Sequence, residues 1–328
     1  MSRSLPTALK SLIKAPTFAA RPSAVHTGKT LPPGRQSGPL AGPGDEKLNA
    51  LFDKIDQEAK DRKVGWNEWG CFATATLVTL NASSSLAALH RHSVASPALR
   101  LSLEEKLNRA QLMRETGLKC IGFIGIPKVI NNLAALRAAV EEDKELVQAL
   151  PTEPRRKITP ELLPRVEEAA NALWDNIYTP HSSKLLKILG RSHPDLPVFI
   201  VDGEYGPLFS PPHTFAAPNP PPSLASSEEP PALEPVWEVG RLRTSLVAVA
   251  SLRAQGGVGP QVTSHVWGLL KAASSLKNAE TQLDNEEIGK RWLTTEEGAL
   301  WVVRTVDGIC EAVEGAEVAE TASRESKL

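Results

Sequence analysis

Cysteine is scarce. Cys71, Cys120 and Cys310 are the three in 328 residues, too few and too scattered for a disulfide framework or a four-ligand zinc site. A reducing compartment is expected. Also missing is any apolar run near the ~18 residues that a membrane helix needs, which predicts a soluble chain with no membrane partner. An excess of either charge is absent too. Lys+Arg number 37 against Asp+Glu 38, which argues against nucleic acid as a partner and against an acidic solvating chain. Apolar residues make up 41%, enough at this length for one or two domains with a full core.

Acidic residues are absent from residues 1–44, whereas Arg3, Lys10, Lys14, Arg21, Lys29 and Arg35 lie there. Seven prolines from Pro6 to Pro43 interrupt any long helix in this arm, and large apolar side chains are too few to offset the entropy of ordering it. A disordered basic arm is expected. Leu5, Leu9, Leu12 and Ile13 form a short apolar face before Pro16, so a mitochondrial transit peptide is a second reading.

From Asp45 the texture changes. Leu48, Leu51, Phe52 and Ile55 recur at i, i+3, i+4 and i+7, the spacing of an amphipathic helix. Trp66 to Leu80 and Ser83 to Val94 read as further helices, the first largely enclosed by others. Ser102 and Glu105 are spaced as a capping box ahead of Leu103, Leu107, Ala110 and Met113, a helix that runs to Gly117. Gly117 to Ile126 reads as an apolar, glycine-punctuated connection, and Pro127 suits the first turn of the next helix. Thr159 and Pro160 open another, which carries Leu163, Val166, Ala170 and Leu173. Leu196 to Tyr205 reads as a strand by itself, although a short apolar run is ambiguous by period.

Between Pro207 and Pro235 lie ten of the 27 prolines, together with serines and glutamates, and this reads as an exposed linker or insertion over 207–236. Helices follow at Leu242 to Ala254 and Pro260 to Ala273. Thr294 and Glu297 repeat the capping-box spacing before Leu300, Val303, Ile309 and Val313, and residues 316–328 read as a mobile polar tail. The expected fold is all-α: helical parts over 45–206 and 237–315, packed as one domain or as two similar halves joined across the linker.

Two stretches, RETGLKCIGFIGIPKVINNLAALRAAV (Arg114 to Val140) and RLRTSLVAVASLRAQGGVGPQVTSHVWGLLKA (Arg241 to Ala272), resemble the AhpD-like superfamily, particularly its fungal members. The superfamily includes alkylhydroperoxidase AhpD and carboxymuconolactone decarboxylase. The resemblance covers roughly 45–205 and 238–315. It implies an all-helical fold, in which Leu196 to Tyr205 becomes a helix or an irregular buried segment. It also implies that His265 stands where decarboxylases of this kind carry a histidine. Such a reaction on a small organic molecule needs a proton shuttle and an anion clamp, which His265 assisted by Glu115 or Arg114 would supply. From pattern alone, His265 reads as a core histidine satisfied by a carbonyl, with a general acid or base as the alternative.

The chain departs from the family in its thiols. The peroxidases use a CxxC pair followed by histidine, one thiolate attacking peroxide and the other cysteine resolving the sulfenic acid. Counting back from His265, those positions are Val258 and Gln261, and counting back from His90 they are Ser83 and Leu86. A dithiol peroxidase is therefore not expected. Cys120 has Lys119 beside it but sits among Ile121, Phe123 and Ile124, and reads as an inert core thiol, with a one-cysteine peroxidase as the alternative. Cys71 and Cys310 read as core.

His90 and His92 stand at i and i+2, not the i, i+4 pair of a helical zinc site, and read as surface residues. Gly256, Gly257 and Gly259 lack the Lys-Ser/Thr of a phosphate loop and read as a helix connection. Neither a cofactor nor a metal is expected. Trp267, Trp292 and Trp301 read as core, or as the wall of an aromatic pocket beside His265.

Two functions stay open: a decarboxylase-like enzyme built on His265, Glu115 and Arg114, and a non-catalytic helical scaffold or binding protein, with a homo-oligomer possible in either. The terminal Ser326, Lys327 and Leu328 spell an address read by the peroxisomal import receptor. The expected location is the peroxisome, with the mitochondrion as the alternative offered by the basic arm.

Overall fold

No strand occurs among the described residues, and the all-α class holds. The computed structural model describes residues 5–14, 43–95, 100–215, 235–276 and 284–325, with side chains as far as 314. In chain order the helices are α1 (Thr7–Lys14), α2 (Asp45–Asp61), α3 (Trp66–Leu80), α4 (Ser83–Ala95), α5 (Leu103–Lys119), α6 (Ile121–Ile124), α7 (Ile126–Val140), α8 (Lys144–Ala149), α9 (Leu163–Tyr178) and α10 (Ser182–Ser192). A π-helical segment, Phe199–Phe209, follows, and then α11 (Arg241–Gln255), α12 (Gly259–Lys271), α13 (Asn285–Leu293) and α14 (Glu296–Glu325). No described helix is long and apolar enough to cross a membrane.

Helices α3 and α11 form the centre because they are buried on nearly every face. The two pack directly on each other, and such all-round burial demands that the polar side chains find partners inside. Thr76 and Thr79 donate to carbonyls one turn back in their own helix, Phe72 O at 2.8 Å and Ala75 O at 2.7 Å. Arg243 of α11 reaches Glu68 Oε1 of α3 through Nε at 3.2 Å and Nη2 at 2.9 Å. It also holds the carbonyls of Val236 and Glu238, which orders the chain as it enters α11. One apolar core draws on residues from both sides of the proline-rich stretch.

The capping box at Ser102 is formed in full, with Glu105 N donating to Ser102 Oγ at 3.2 Å and Ser102 N to Glu105 Oε2 at 2.7 Å. The later cap falls one residue beyond the expected place. Thr294 ends α13, and Thr295 Oγ1 accepts from Gly298 N at 3.1 Å at the start of α14. The expected connection at 117–126 is instead the end of α5, the single turn α6, and Gly125, whose φ of 79° starts α7.

Two further expectations are corrected. Within the arm a short helix begins after Pro6, but Leu5 just ahead of α1 and Leu9 and Ile13 within it are buried in the main core. The apolar face was compatible with either a free arm or a docked one, and contacts with α12 and α14 decide it. Residues 15–42, residues 216–234 of the linker, and Ser326 to Leu328 lie outside the described residues.

Leu196 to Tyr205 is not a strand. A helical turn at Leu196–Val198 leads into the wide-bore segment Phe199–Phe209. Val201, Tyr205 and Phe209 recur every four residues and face Ala170, Trp174 and Ile177 of α9, whereas a strand alternates its side chains and needs a neighbour for its backbone. Gly206 makes the approach possible: a Cβ there would lie 2.8 Å from Val166 Cγ1 and 3.0 Å from Val166 O.

Candidate functional site

His265 lies on α12, where Val262, Val266 and Leu269 face the core. The imidazole is buried, and the edge of the Phe123 ring from α6 packs on it with centroids 5.9 Å apart. His265 Nε2 is 3.2 Å from the Tyr178 hydroxyl, which is 2.9 Å from the Tyr205 hydroxyl. Tyr178 ends α9 and Tyr205 sits on the π-helical segment, so three elements distant in sequence supply one hydrogen-bonded chain. These are the only two tyrosines in the protein. Trp174 closes over both rings, at 4.3 Å from Tyr178 and 5.0 Å from Tyr205, and Phe209 stacks on Phe123 at 5.0 Å. Gly122 is required beneath Phe209, because a Cβ there would collide with its ring.

His265 Nδ1 is buried without a hydrogen-bond partner. Whichever tautomer is present, one nitrogen is engaged by Tyr178 and the other is the open end of the chain. Burial, helped by the positive charge of Arg241, lowers the imidazole pKa to about 4, so the ring is neutral at pH 7. Burial drives the phenols the other way, raising Tyr178 and, more strongly, Tyr205. Both keep their protons at neutral pH.

Arg241 is half-buried beside this chain. Its Nε donates to Asn176 Oδ1 at 2.5 Å, Nη1 to Ser245 Oγ at 2.7 Å and Nη2 to Gly268 O at 2.8 Å. All three acceptors are neutral. Burial lowers its pKa to about 10.

Glu115 and Arg114 are placed elsewhere. Glu115 is buried and takes both Nη groups of Arg156, one at 2.9 Å. Arg156 also donates to Pro207 O at 3.0 Å. Lys119, one turn on, is wholly buried and donates to Phe209 O at 2.5 Å and Val239 O at 2.6 Å. Burial lowers its pKa to about 8. Glu115 and His265 are therefore joined only indirectly, through the backbone around Phe209 and the stacked rings of Phe209 and Phe123. Arg114 is exposed and donates to Pro151 O at 3.3 Å.

The three thiols are buried. Burial pushes Cys71 up to about 11 and Cys120 up to about 12, and Ser251 Oγ lies 3.7 Å from the Cys120 sulfur. The expectation of surface histidines fails at His90, which is 1% exposed with its pKa lowered to about 4 by burial. His92 pairs with Asp53 Oδ1 at 2.8 Å. Trp292 and Trp301 pack on each other, and Trp301 packs on Phe72; the rings that pack on His265 are Phe123 and Tyr178. No group of three or more His, Cys, Asp or Glu side chains suited to a metal occurs among the described residues. Gly256 and Gly257, at φ 71° and 74°, turn the chain from α11 into α12.

Sequence reasoning found His265 but not its partners. Tyr178 and Tyr205 carried one signal, their rarity in the chain, and Arg241 stood just ahead of the helix expected over Leu242 to Ala254. Comparison of the chain with protein-family models, curated proteins and solved structures found no match.

Proposed function

We propose that this chain is an AhpD-like protein without the dithiol, and that it moves protons on a small organic substrate in a decarboxylase-like reaction. The observation that carries the reading is the chain His265 Nε2, Tyr178 OH, Tyr205 OH, with Nδ1 of the histidine unpartnered at its end. A neutral imidazole and two protonated phenols form a relay at pH 7. When a carboxylate loses CO2, the electron pair left on carbon takes a proton from the relay, and solvent returns one. Enclosure by Trp174, Phe123 and Phe209 lowers the local dielectric and sharpens each proton transfer. Glu115 is a positioning residue: with Arg156 it holds the carbonyl at Pro207 and so the end of the segment that bears Tyr205 and Phe209. Arg114 takes no part.

A scaffold or binding role is the second reading, and the aromatic enclosure of His265 is what favours it. A one-cysteine peroxidase through Cys120 is disfavoured, because a thiol with a pKa near 12 supplies almost no thiolate at neutral pH. Peroxisomal import through Ser326 to Leu328 remains part of the proposal, and deleting those three residues tests it.

The test of the relay is a screen of small β-keto and lactone carboxylates for CO2 release or for solvent deuterium uptake at carbon. Turnover that falls ~10²–10⁴-fold in both Tyr178→Phe and His265→Ala, with folding preserved, is the expected result. A folded wild-type chain inert to the whole panel, or turnover indifferent to both changes, overturns it.

A further inference from the structure

Arginines buried or half-buried in this fold are neutralised by carboxylates in three cases: Arg156 by Glu115, Arg243 by Glu68 and Arg253 by Asp307. Arg241 differs. Its side-chain partners are an amide, a hydroxyl and a carbonyl oxygen, and no carboxylate is among the groups whose charge acts on it. Removing a guanidinium from water without a counter-ion is costly. The three hydrogen bonds account for the position of the fork but leave its charge without a counter-ion. Three of its N–H groups are used of the five that the fork carries, leaving two.

The place is open to small molecules on one side. Asn176, the Nε partner of Arg241, lines a surface depression between α9 and the end of α12, together with Asp175, Thr179, Lys271 and Ser274. Lys271 adds a second cation, and its Nζ donates to Ile177 O and to Thr179 O at 2.9 Å. It too is held by carbonyl oxygens. Asp175 opposes these charges from the same wall, so the two cations outnumber the lining carboxylate by one. Behind Asn176, the charge of Arg241 acts on Tyr178, Tyr205 and His265. The depression and the relay thus meet at one guanidinium.

We propose that Arg241, backed by Lys271, binds the carboxylate of a small organic acid that enters through this depression and displaces the Asn176 amide. A planar carboxylate matches the arginine fork, and the ion pair supplies the missing counter-charge. Binding itself does not depend on the relay; only what becomes of the ligand afterwards rests on the function proposed above.

The experiment is calorimetric or NMR titration of the full chain with benzoate, and with benzamide as its uncharged counterpart. Saturable binding of benzoate, and at least about tenfold weaker binding of benzamide, is expected. Arg241→Gln removes the preference. Because that variant also loses hydrogen bonds of the fold, Asn176→Asp is the companion: it gives Arg241 an internal carboxylate, preserves or raises the melting temperature, and abolishes benzoate binding. Tyr178→Phe keeps benzoate binding, which separates failure of the relay from failure of this site. Equal binding of benzoate and benzamide, absence of saturable binding to the wild-type chain, or undiminished binding to Asn176→Asp overturns the proposal.

Discussion

Two neutral histidines locked inside the fold make it sensitive to mild acid, and His265 allows the effect to be isolated. Its pKa falls from 6.5 to about 4 on burial, so between those values the unfolded chain binds a proton that the folded chain refuses. Stability therefore rises with pH across that window and is lost as pH falls through it. With these two pKa values, His265 alone costs about 2 kcal/mol by pH 5 and about 3 kcal/mol once the pH is below 4. The perturbation is His265→Gln, whose amide replaces the Nε2 contact to Tyr178 but does not titrate. Urea unfolding of both chains at pH 7, 6 and 5 gives the difference directly, since His90 and every other titrating group is common to both and cancels. The variant is expected to lose about 2 kcal/mol less than the wild type between pH 7 and pH 5. Parallel loss in the two chains would show that His265 is accessible to protons in the native state, and the argument from burial would fail with it.

Thiol reagents provide a second check. Cys71, Cys120 and Cys310 are expected to resist maleimide in native buffer and to react together in denaturant; rapid labelling of Cys120 alone would restore it as a candidate nucleophile. The docked amino-terminal helix gives a third. Leu9→Ala, at a side chain 1% exposed, is expected to cost ~2–5 kcal/mol and to open residues 5–14 to limited proteolysis, whereas an undocked arm would show unchanged stability and equal cleavage in both chains.

Helices from α2 to α5, and α7, α9, α11, α12 and α14, were legible in the sequence because a 3.6-residue apolar period and local caps are properties of neighbouring residues. Ser102 with Glu105 is the clearest case: both hydrogen bonds close within one turn and need nothing from the rest of the chain. His265 became a candidate through the family resemblance, since a polar side chain set beside an apolar helical face reads by itself as a core histidine. The role of Leu5, Leu9 and Ile13 was not legible, since an apolar face states that burial is available and not where. Leu196 to Tyr205 misled because a run of apolar residues carries no period, and only α9 lying alongside with Gly206 against Val166 selects the wide helix. The relay and the clamp are tertiary in origin. Tyr178, Tyr205 and His265 come from three elements and Arg241 from a fourth, and a hydrogen bond between hydroxyl and imidazole depends on distances of a few ångströms that no spacing along the chain encodes. Burial decides their chemistry as well: the same imidazole and phenols would titrate normally in water, and the low dielectric of the folded core separates their pKa values.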